Sequence, residues 1–244
     1  MLLRPKSPGN VGSVARAMKN MGFSRLILAD PMTYEDPDHF DREARRMAWQ
    51  ASDLLDGRQA TASLELALAP FSLVAGTTSR PSPGARVVSP RGLAAEIASH
   101  LAADVSASAC LLFGQEDIGL TLDDLSRCGV IGVIPSAEAY LSLNLSQAAL
   151  LFLYELRLAL IQGDGANRTG PDPLPTHAML EGFYTRLQDA LDSIGFLQGS
   201  SREHMMRELR RILNRSLLTA RELSIFEGIV RQILWSASRG RTRA

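Results

Sequence analysis

Three short segments of the sequence combine glycine with polar side chains in patterns that could do chemistry. In chain order they are residues 8–18 (PGNVGSVARAM), 113–120 (FGQEDIGL) and 142–149 (SLNLSQAA). Each adjoins apolar or helix-like sequence, and the ends of strands are where an open parallel sheet collects its ligands. Their amide, carboxylate, hydroxyl and guanidinium groups could bind and orient a polar substrate.

The first segment places an amide, two glycines and an arginine around a strand-to-helix turn. We expect Asn10 to cap the helix, and Gly9 and Gly12 to allow close approach of the backbone. Arg16 is expected on the first turns of that helix, whose free N–H groups favour anions. The segment therefore predicts an anion site, although a plain cap and a surface ion-pair arginine would explain the same residues.

The second segment follows an apolar strand and brackets two acids with glycines. Glu116 in such a loop could orient Arg16 or hydrogen-bond a substrate, whereas Asp117 is interpreted as a solvated acid. A turn in which both acids are solvated is the alternative. The segment becomes informative because it occurs together with the other two.

The third segment carries hydroxyl and apolar groups from a loop directly into a helix. Ser142 or Asn144 is expected to cap that helix, and the backbone of the loop could satisfy the edge of an adenine. A fourth segment, residues 76–80 (GTTSR), leaves an apolar strand with three hydroxyl side chains. It would supply another wall of the same pocket.

The elements that must position these segments predict an α/β architecture for the first 160 residues. Short β-like runs alternate with helical stretches, which is typical of a mostly parallel sheet covered by helices on both faces. The sequence begins inside the first predicted strand, so either this strand is short or the chain starts upstream. The predicted strands are 1–4, 25–29, 71–76, 109–114 and 130–134, and the predicted helices lie near 11–21, 39–49, 90–103, 121–127 and 144–162.

A linker and a helical module follow this domain. Residues 163–175 contain three Gly and three Pro, which end a helix and favour an extended tether. Beyond them, helices are predicted at about 176–194, 201–214 and 219–237, the last two with Ser/Thr-x-x-Glu capping patterns. The predicted domains are therefore 1–162, catalytic, and 176–244, helical, joined by the linker 163–175.

Charge is distributed unevenly although the net charge is zero. Residues 1–162 carry 14 Lys and Arg against 17 Asp and Glu, whereas residues 176–244 carry 11 against 7. A basic appendage on an acidic domain suits a surface that faces RNA. A solvated helix bundle with a basic end is the alternative.

The remaining composition indicates a reducing compartment. Cys110 and Cys128 lie in apolar surroundings without the spacing of metal ligands, so we expect core cysteines and no metal site. No apolar run is seen that reaches the roughly 18–20 residues needed to cross a bilayer, and no signal segment is recognised. We expect a cytoplasmic protein without a membrane partner.

Together and in this order, the three segments resemble motifs 1, 2 and 3 of the SpoU (TrmH-like) branch of the SPOUT RNA methyltransferases, and among these the TrmJ-like tRNA 2′-O-methyltransferases. The resemblance runs through about residues 1–160 and continues more loosely into the helical module. It implies a SPOUT fold whose C-terminal part threads a deep trefoil knot, a homodimer, and S-adenosylmethionine as cofactor. It also implies methylation of a ribose 2′-hydroxyl in tRNA, at nucleotide 32 of the anticodon loop, on cytidine, uridine or both.

The resemblance assigns site residues as well. Cofactor contacts, made largely by main chain, carry over onto Thr77, Thr78, Ser79, Gly114, Ile134, Leu141, Ser142 and Leu143. The catalytic positions, of which Arg16 is expected to enter the partner's site, are Arg16, Asn10, Glu116, Ser142 and Asn144.

Arg16 needs a separate chemical argument. The family resemblance implies that this arginine takes the proton of the 2′-hydroxyl, but a guanidinium is effectively always protonated. We therefore expect Arg16 to bind the target phosphate and to stabilise the developing alkoxide, with water or phosphate accepting the proton.

Rival functions fit the sequence less well. A nicotinamide oxidoreductase needs Gly-x-Gly-x-x-Gly after its first strand, and Gly9 and Gly12 do not have that spacing. A P-loop is absent from the sequence. A methyltransferase acting on ribosomal RNA or on another tRNA position, and an inactive RNA-binding protein on the same fold, remain as alternatives.

Overall fold

The structure, a computed structural model, describes residues 1–31, 37–81, 85–139, 141–163, 174–197 and 199–241 of the 244-residue chain. Most of the predicted linker and the last three residues, which include one arginine of the basic tail, lie outside the described residues. Tyr140, which precedes the third segment, also lies outside them.

Seven strands among the described residues form two parallel sheets, which meet where β1 lies beside the end of β6. The pairing orders are β1-β2-β3 and β5-β7-β4-β6, every pair parallel. A bridge between Leu2 and Phe113, with the Leu3 amide donating to the Phe113 carbonyl at 2.9 Å, places β1 beside the end of β6. The strands are β1 (Leu2–Leu3), β2 (Ile27–Ala29), β3 (Gln59–Thr61), β4 (Leu73–Thr77), β5 (Val87–Val88), β6 (Ala109–Leu112) and β7 (Val130–Gly132).

The parallel α/β prediction is confirmed, and all five predicted strands exist. β3 and β5 were not predicted, because both are short, partly exposed and lack an apolar run. The α/β part of the chain contains α1 (Pro8–Asn20), α2 (Pro37–Ala48), α3 (Ser52–Asp56), α4 (Leu64–Leu68), α5 (Pro90–Ala103), α6 (Leu122–Ser126) and α7 (Leu145–Gly163). Of these, α3 and α4 were not predicted.

Helix α1 corrects the expectation for Asn10. The helix begins at Pro8, and the Ser7 side chain caps it by accepting a hydrogen bond of 3.3 Å from the backbone N–H of Asn10. Serine before proline is a common helix start, because proline fits the first helical position and lacks the N–H that would go unpaired. The Asn10 side chain is therefore free for a contact elsewhere.

Helix α1 also packs unusually close to α2. A Cβ atom at Gly12 would lie 2.0 Å from the carbonyl oxygen of Ala44 on α2. Gly9 faces α2 as well, since its Cβ would lie 2.9 Å from a carboxylate oxygen of Glu43. Gly12 therefore allows close approach of the backbone as expected, and the element that approaches is α2.

The hydrophobic core has two parts, one on each face of the sheet. One part joins α1, α2, α5 and α7 to the sheet and includes the edge-to-face pair Phe113 and Phe152, whose ring centroids are 6.0 Å apart. The other lies under α4 and α6 and contains both cysteines, which are free and buried. Burial raises the pKa of both thiols, so they are core residues as predicted.

Helix α7 is long and apolar enough, by length and composition, to cross a membrane. This was not foreseen from the sequence. One stripe of the helix, including Phe152 and Leu156, packs in the core. Glu155 of the same helix pairs with Arg91 of α5 at 3.2 Å. Helix α7 is therefore a core helix of the α/β domain with a second, partly exposed apolar face.

The C-terminal module contains α8 (His177–Ser193), α9 (Arg202–Arg215) and α10 (Ala220–Arg241). Its small core joins α8 to α10 through Phe183, Tyr184, Leu223 and Val230. The predicted capping box at Thr219 and Glu222 is present, with hydrogen bonds of 2.8 and 3.3 Å.

The module docks directly on the α/β domain. The His177 amide donates to the Phe71 carbonyl at 2.6 Å, beside the start of β4. The Asn214 side chain accepts from the Tyr184 hydroxyl at 2.7 Å and donates to the carbonyl of Ser126 on α6 at 2.9 Å. The predicted tether therefore leads into a module that is held to the α/β domain by hydrogen bonds.

Candidate active site

A cavity of about 220 Å³ opens at the carboxyl ends of β4, β6 and β7. Strands end there because small and hydroxyl residues follow their apolar runs, and parallel strands bring these ends to one edge. All eight residues predicted to contact a cofactor line the cavity, namely Thr77, Thr78, Ser79, Gly114, Ile134, Leu141, Ser142 and Leu143. The structure thus brings them together, and their contact with a cofactor stays a prediction.

The loop after β6 forms one wall of the cavity and closes on itself. The Gly119 amide donates to the Gln115 carbonyl at 2.7 Å, and Gly119 has φ +74°. A Cβ at Gly114 would lie 2.2 Å from the carbonyl carbon of Gly119. Only glycine therefore fits at position 114, and the tight loop presents Glu116 toward the start of α1.

Glu116 accepts three hydrogen bonds from the segment that begins α1. One carboxylate oxygen accepts the Lys6 amide at 2.9 Å, and the other accepts the Ser7 amide at 3.0 Å and the Asn10 side-chain amide at 3.1 Å. Within one protomer these three donors hold the carboxylate and Arg16 is not among them, so the expectation that Glu116 orients Arg16 or hydrogen-bonds a substrate stays a prediction. Glu116 ties the loop after β6 to the loop after β1.

Asn10 continues the connection to the third segment. Its side-chain oxygen accepts the amide of Asn144 at 3.0 Å, and Asn144 in turn accepts the amide and hydroxyl of Ser146 at 2.8 and 2.7 Å. Asn144, and not Ser142, is therefore the cap of α7. The three sequence segments meet in one chain of hydrogen bonds, Glu116–Asn10–Asn144, beside the cavity.

Ser142 and Thr77 hold their hydroxyls differently. Ser142 is exposed in the cavity lining, and its hydroxyl has no hydrogen-bond partner within the described part of the chain. Thr77 is buried and donates its hydroxyl to the Leu112 carbonyl at 3.0 Å, which fixes β4 to β6. Ser142 is thus available to a ligand, whereas the side chain of Thr77 supports the sheet.

Arg16 lies away from this cavity. It sits on the third turn of α1 rather than the first, and its side chain is exposed. Within the described residues it forms no ion pair and does not line the cavity, so the alternative of a surface ion-pair residue is not observed. Within one protomer, Arg16 is therefore not part of the site.

Sequence reasoning missed Ser7 and Lys6. Ser7 could have been found from the Ser-Pro pair that begins α1. Lys6 donates to Asp117 at 2.5 Å, and this hydrogen bond lowers the pKa of the Asp117 carboxyl. Arg80, the last residue of the fourth segment, was expected in the pocket wall; it lines the cavity and is exposed. No pattern in the sequence indicates the Lys6 contact, because its partner lies 111 residues away.

Comparison with family models adds the observation that decides the family. Residues 1–154 match the model described as the SpoU rRNA Methylase family. The chain belongs to the SpoU methylase family. Residues 178–242 of this SpoU methylase match a second model, described as the C-terminal domain of the tRNA methyltransferase TrmJ. The chain is thus a methyltransferase of the SpoU family, and the resemblance inferred from the sequence is confirmed.

Relatives match this SpoU methylase along nearly its whole length. The tRNA (cytidine/uridine/adenosine-2'-O-)-methyltransferase TrmJ of Pseudomonas aeruginosa (strain UCBPP-PA14) is 36% identical over 243 residues, covering 94% of this chain and 91% of the relative. The tRNA (cytidine/uridine-2'-O-)-methyltransferase TrmJ of Pectobacterium atrosepticum is 35% identical over 244 residues, covering 96% and 95%. The crystal structure of TrmJ from Z. mobilis ZM4 superposes with a TM-score of 0.80 at 26% identity, covering 95% of this chain and 96% of that one.

Proposed function

We propose that this SpoU methylase transfers a methyl group from S-adenosylmethionine to a ribose 2′-hydroxyl in tRNA, at nucleotide 32 of the anticodon loop, on cytidine, uridine or both. The observation that carries the proposal is the Glu116–Asn10–Asn144 connection, which joins all three motif segments beside one cavity. Relatives named tRNA 2′-O-methyltransferases match both domains. A cytoplasmic location, where tRNA and this cofactor occur, is part of the proposal.

The residues of the cavity fit S-adenosylmethionine. Ile134, Leu141 and Leu143 supply apolar walls for an adenine, and hydroxyl side chains and main-chain groups of the loops after β4 and β7 supply polar contacts. Gly114 keeps the wall after β6 free of a side chain. When bound, the cofactor supplies an activated methyl group, so the protein has to position the acceptor and manage one proton.

The polar residues beside the cavity are suited to hold the acceptor ribose. Ser142 offers a free hydroxyl and Asn144 an amide that Asn10 orients. Glu116 fixes Asn10 by accepting its side-chain amide, so Glu116 acts as a positioning residue. Arg16 would bind the phosphate next to the target and stabilise the charge that develops on the 2′-oxygen, while water or phosphate accepts the proton.

Arg16 reaches a cavity only if a second copy of the chain supplies it. The proposed homodimer is supported by the second face of α7, where Leu150, Leu151, Tyr154 and Ile161 are exposed. A row of exposed large apolar residues along one side of a helix is typical of a protein–protein contact. Arg16 on the neighbouring α1 is exposed and unpaired among the described residues, as a group that enters a partner's site should be.

The proposed fold also includes the deep trefoil knot that the family resemblance implies. Its support is the order of the strands. β7 is the last strand of the sheet in the chain, and it lies between β4 and β5, which both precede it. The chain therefore returns to the interior of a sheet that earlier segments have already formed.

The proposed reaction is tested by two separate incubations of the protein with labelled S-adenosylmethionine. One contains bulk tRNA and the other contains ribosomal RNA. Label in tRNA ribose supports the proposal. Label in ribosomal RNA alone would keep the chemistry and overturn the substrate. Binding of both ligands without transfer would favour the inactive RNA-binding alternative.

The shared site is tested by mixing two inactive variants. Arg16→Ala keeps its cofactor cavity, and Leu143→Trp fills the cavity but keeps Arg16. After subunit exchange, half of the dimers are mixed and each has one complete site, so about a quarter of wild-type activity should return. An inactive mixture, with dimers verified, would show that Arg16 acts within its own protomer.

A further inference from the structure

The outer face of α10 carries an aromatic side chain between two cations. Arg231, Trp235 and Arg239 are spaced by four residues, which places them on one side of the helix. The opposite side carries Leu223 and Val230, which are buried against α8. The Arg–Trp–Arg face therefore points away from the core of the module.

Trp235 is half exposed, with 49% of its surface accessible, and the Arg239 guanidinium lies 4.2 Å from its ring centroid. Among the described residues, neither Arg231 nor Arg239 pairs with an acid. The two acids of α10 are engaged elsewhere, since Glu222 caps the helix and Glu227 pairs with Arg186. The helix beyond them, residues 228–241, contains three Arg and no acid.

We propose that the Arg231–Trp235–Arg239 face is a binding surface for single-stranded RNA, on which Trp235 stacks an unpaired base of the substrate. The inference rests on the proposed function and specifies how the C-terminal module would take part in it. An indole backed by a guanidinium forms a flat π surface, and stacking on such surfaces is how proteins hold unpaired bases. Arg231 and Arg239 stand one helical turn to either side, where they contact the adjoining phosphates.

Charge favours RNA over a second copy of the chain at this face. Two copies would bring cations against cations with no acid between them, which is unfavourable. The exposed apolar residues of α10, Ile225 and Ile229, lie in its N-terminal half, away from Arg239. The aromatic group is thus surrounded by groups that attract phosphate.

Fluorescence tests the contact directly, because Trp49 and Trp235 are the two tryptophans of the chain. In Trp49→Phe, the emission reports Trp235 alone, and an anticodon stem-loop should quench it saturably. A blunt RNA duplex with the same number of nucleotides should quench it much less. The matched variant Trp235→Phe, which keeps Trp49, should show no saturable quenching by the stem-loop.

Kinetics provide the second readout. Trp235→Ala should raise the KM for tRNA about tenfold, with kcat and the affinity for S-adenosylmethionine unchanged. Trp235→Phe, which keeps an aromatic ring, should have a KM for tRNA close to that of the wild type. Arg231→Ala and Arg239→Ala should each reduce the slope of log affinity against log salt by about 1.

The proposal is overturned if wild-type protein methylates tRNA but the Trp235 emission does not change when RNA is added. It is also overturned if that emission changes with protein concentration and not with RNA, which would indicate contact with a second copy of the chain. If wild-type protein does not methylate tRNA, the proposed function fails, and stem-loop quenching still decides whether this face binds RNA.

Discussion

Glu116 is bonded through both carboxylate oxygens to the loop that precedes α1. Its third bond orients Asn10, whose side chain reaches Asn144 at the start of α7. One carboxylate thus fixes the loop before α1 directly and, through Asn10, the residue that caps α7. At the scale of residues, the site is a set of mutually oriented polar groups. Glu116 holds the others in place and does not contact Arg16 of the same protomer.

Replacing Glu116 by Gln puts an amide group where a carboxylate oxygen accepts N–H donors. We expect the free energy of unfolding to fall by about 2 kcal/mol and methyl transfer to fall strongly, because Asn10 loses its orientation. Urea unfolding and initial rates check this. Asp117→Asn, next in the chain but paired on the surface with Lys6, is the control and should change neither. Equal effects of both variants would contradict the role given to Glu116.

The site could be predicted in part. The three segments could be predicted because each adjoins the end of an apolar run or the start of a helix, and parallel strands collect such ends at one edge. The cofactor-contact residues were implied by the family resemblance. The partners of Glu116 could not, since Asn10 lies 106 residues away and no local rule pairs them. Asn10 was interpreted as a cap because asparagine is a common capping residue, whereas Ser7 before Pro8 performs that function.

At the scale of elements, α1 is held by contact with α2 at a distance that only glycine permits. Gly12 faces the Ala44 carbonyl directly. The long helices were predictable because their apolar stripes are long. Strands β3 and β5 were not, because they are only three and two residues long and are partly exposed. The positions that bring helices together depend on backbone approach, which a hydropathy pattern does not encode.

Gly12→Ala should therefore lower the free energy of unfolding by about 3 kcal/mol or more, because the new methyl group overlaps backbone atoms of α2. Gly228→Ala on α10 is the matched control. Its Cβ would approach nothing closer than an Arg231 nitrogen at 3.9 Å, so stability should stay the same or rise by up to about 1 kcal/mol. Thermal unfolding of both variants measures the difference, and a neutral Gly12→Ala would refute the close packing.

At the scale of the whole molecule, the C-terminal module is joined to the α/β domain through a buried polar junction. His177 is buried there, and its Nε2 atom lies 3.4 Å from a carboxylate oxygen of Glu181. Arg127 and Arg210 also form ion pairs with the Glu181 carboxylate. The Nε2 atom of His177 has no hydrogen-bond partner among the described residues. Burial lowers the pKa of His177 to about 4; the nearby carboxylate opposes this shift and the two arginines add to it.

This junction predicts a pH dependence of stability. Since the unfolded chain has an ordinary histidine pKa near 6.5, it binds the proton more readily than the folded protein. The stability contributed by neutral His177 is therefore complete above about pH 6.5 and is lost as the pH falls toward about 4. Between pH 7 and pH 4.5 the loss should be roughly 2–3 kcal/mol.

Urea unfolding of wild type, His177→Gln and His204→Gln across that range measures the effect. The His177 variant should lose the extra pH dependence, and the variant at exposed His204 should keep it. Parallel curves for wild type and His177→Gln would contradict the assignment.

The most direct measurement of the central claim uses tRNA in which a single ribose lacks its 2′-hydroxyl. Labelled S-adenosylmethionine is supplied with tRNA carrying 2′-deoxyribose at nucleotide 32, and with otherwise identical tRNAs carrying it at 31 or 33. The account predicts that transfer is lost only with the change at nucleotide 32. Transfer that persists with 2′-deoxyribose at nucleotide 32 would place the methyl group elsewhere and contradict the account.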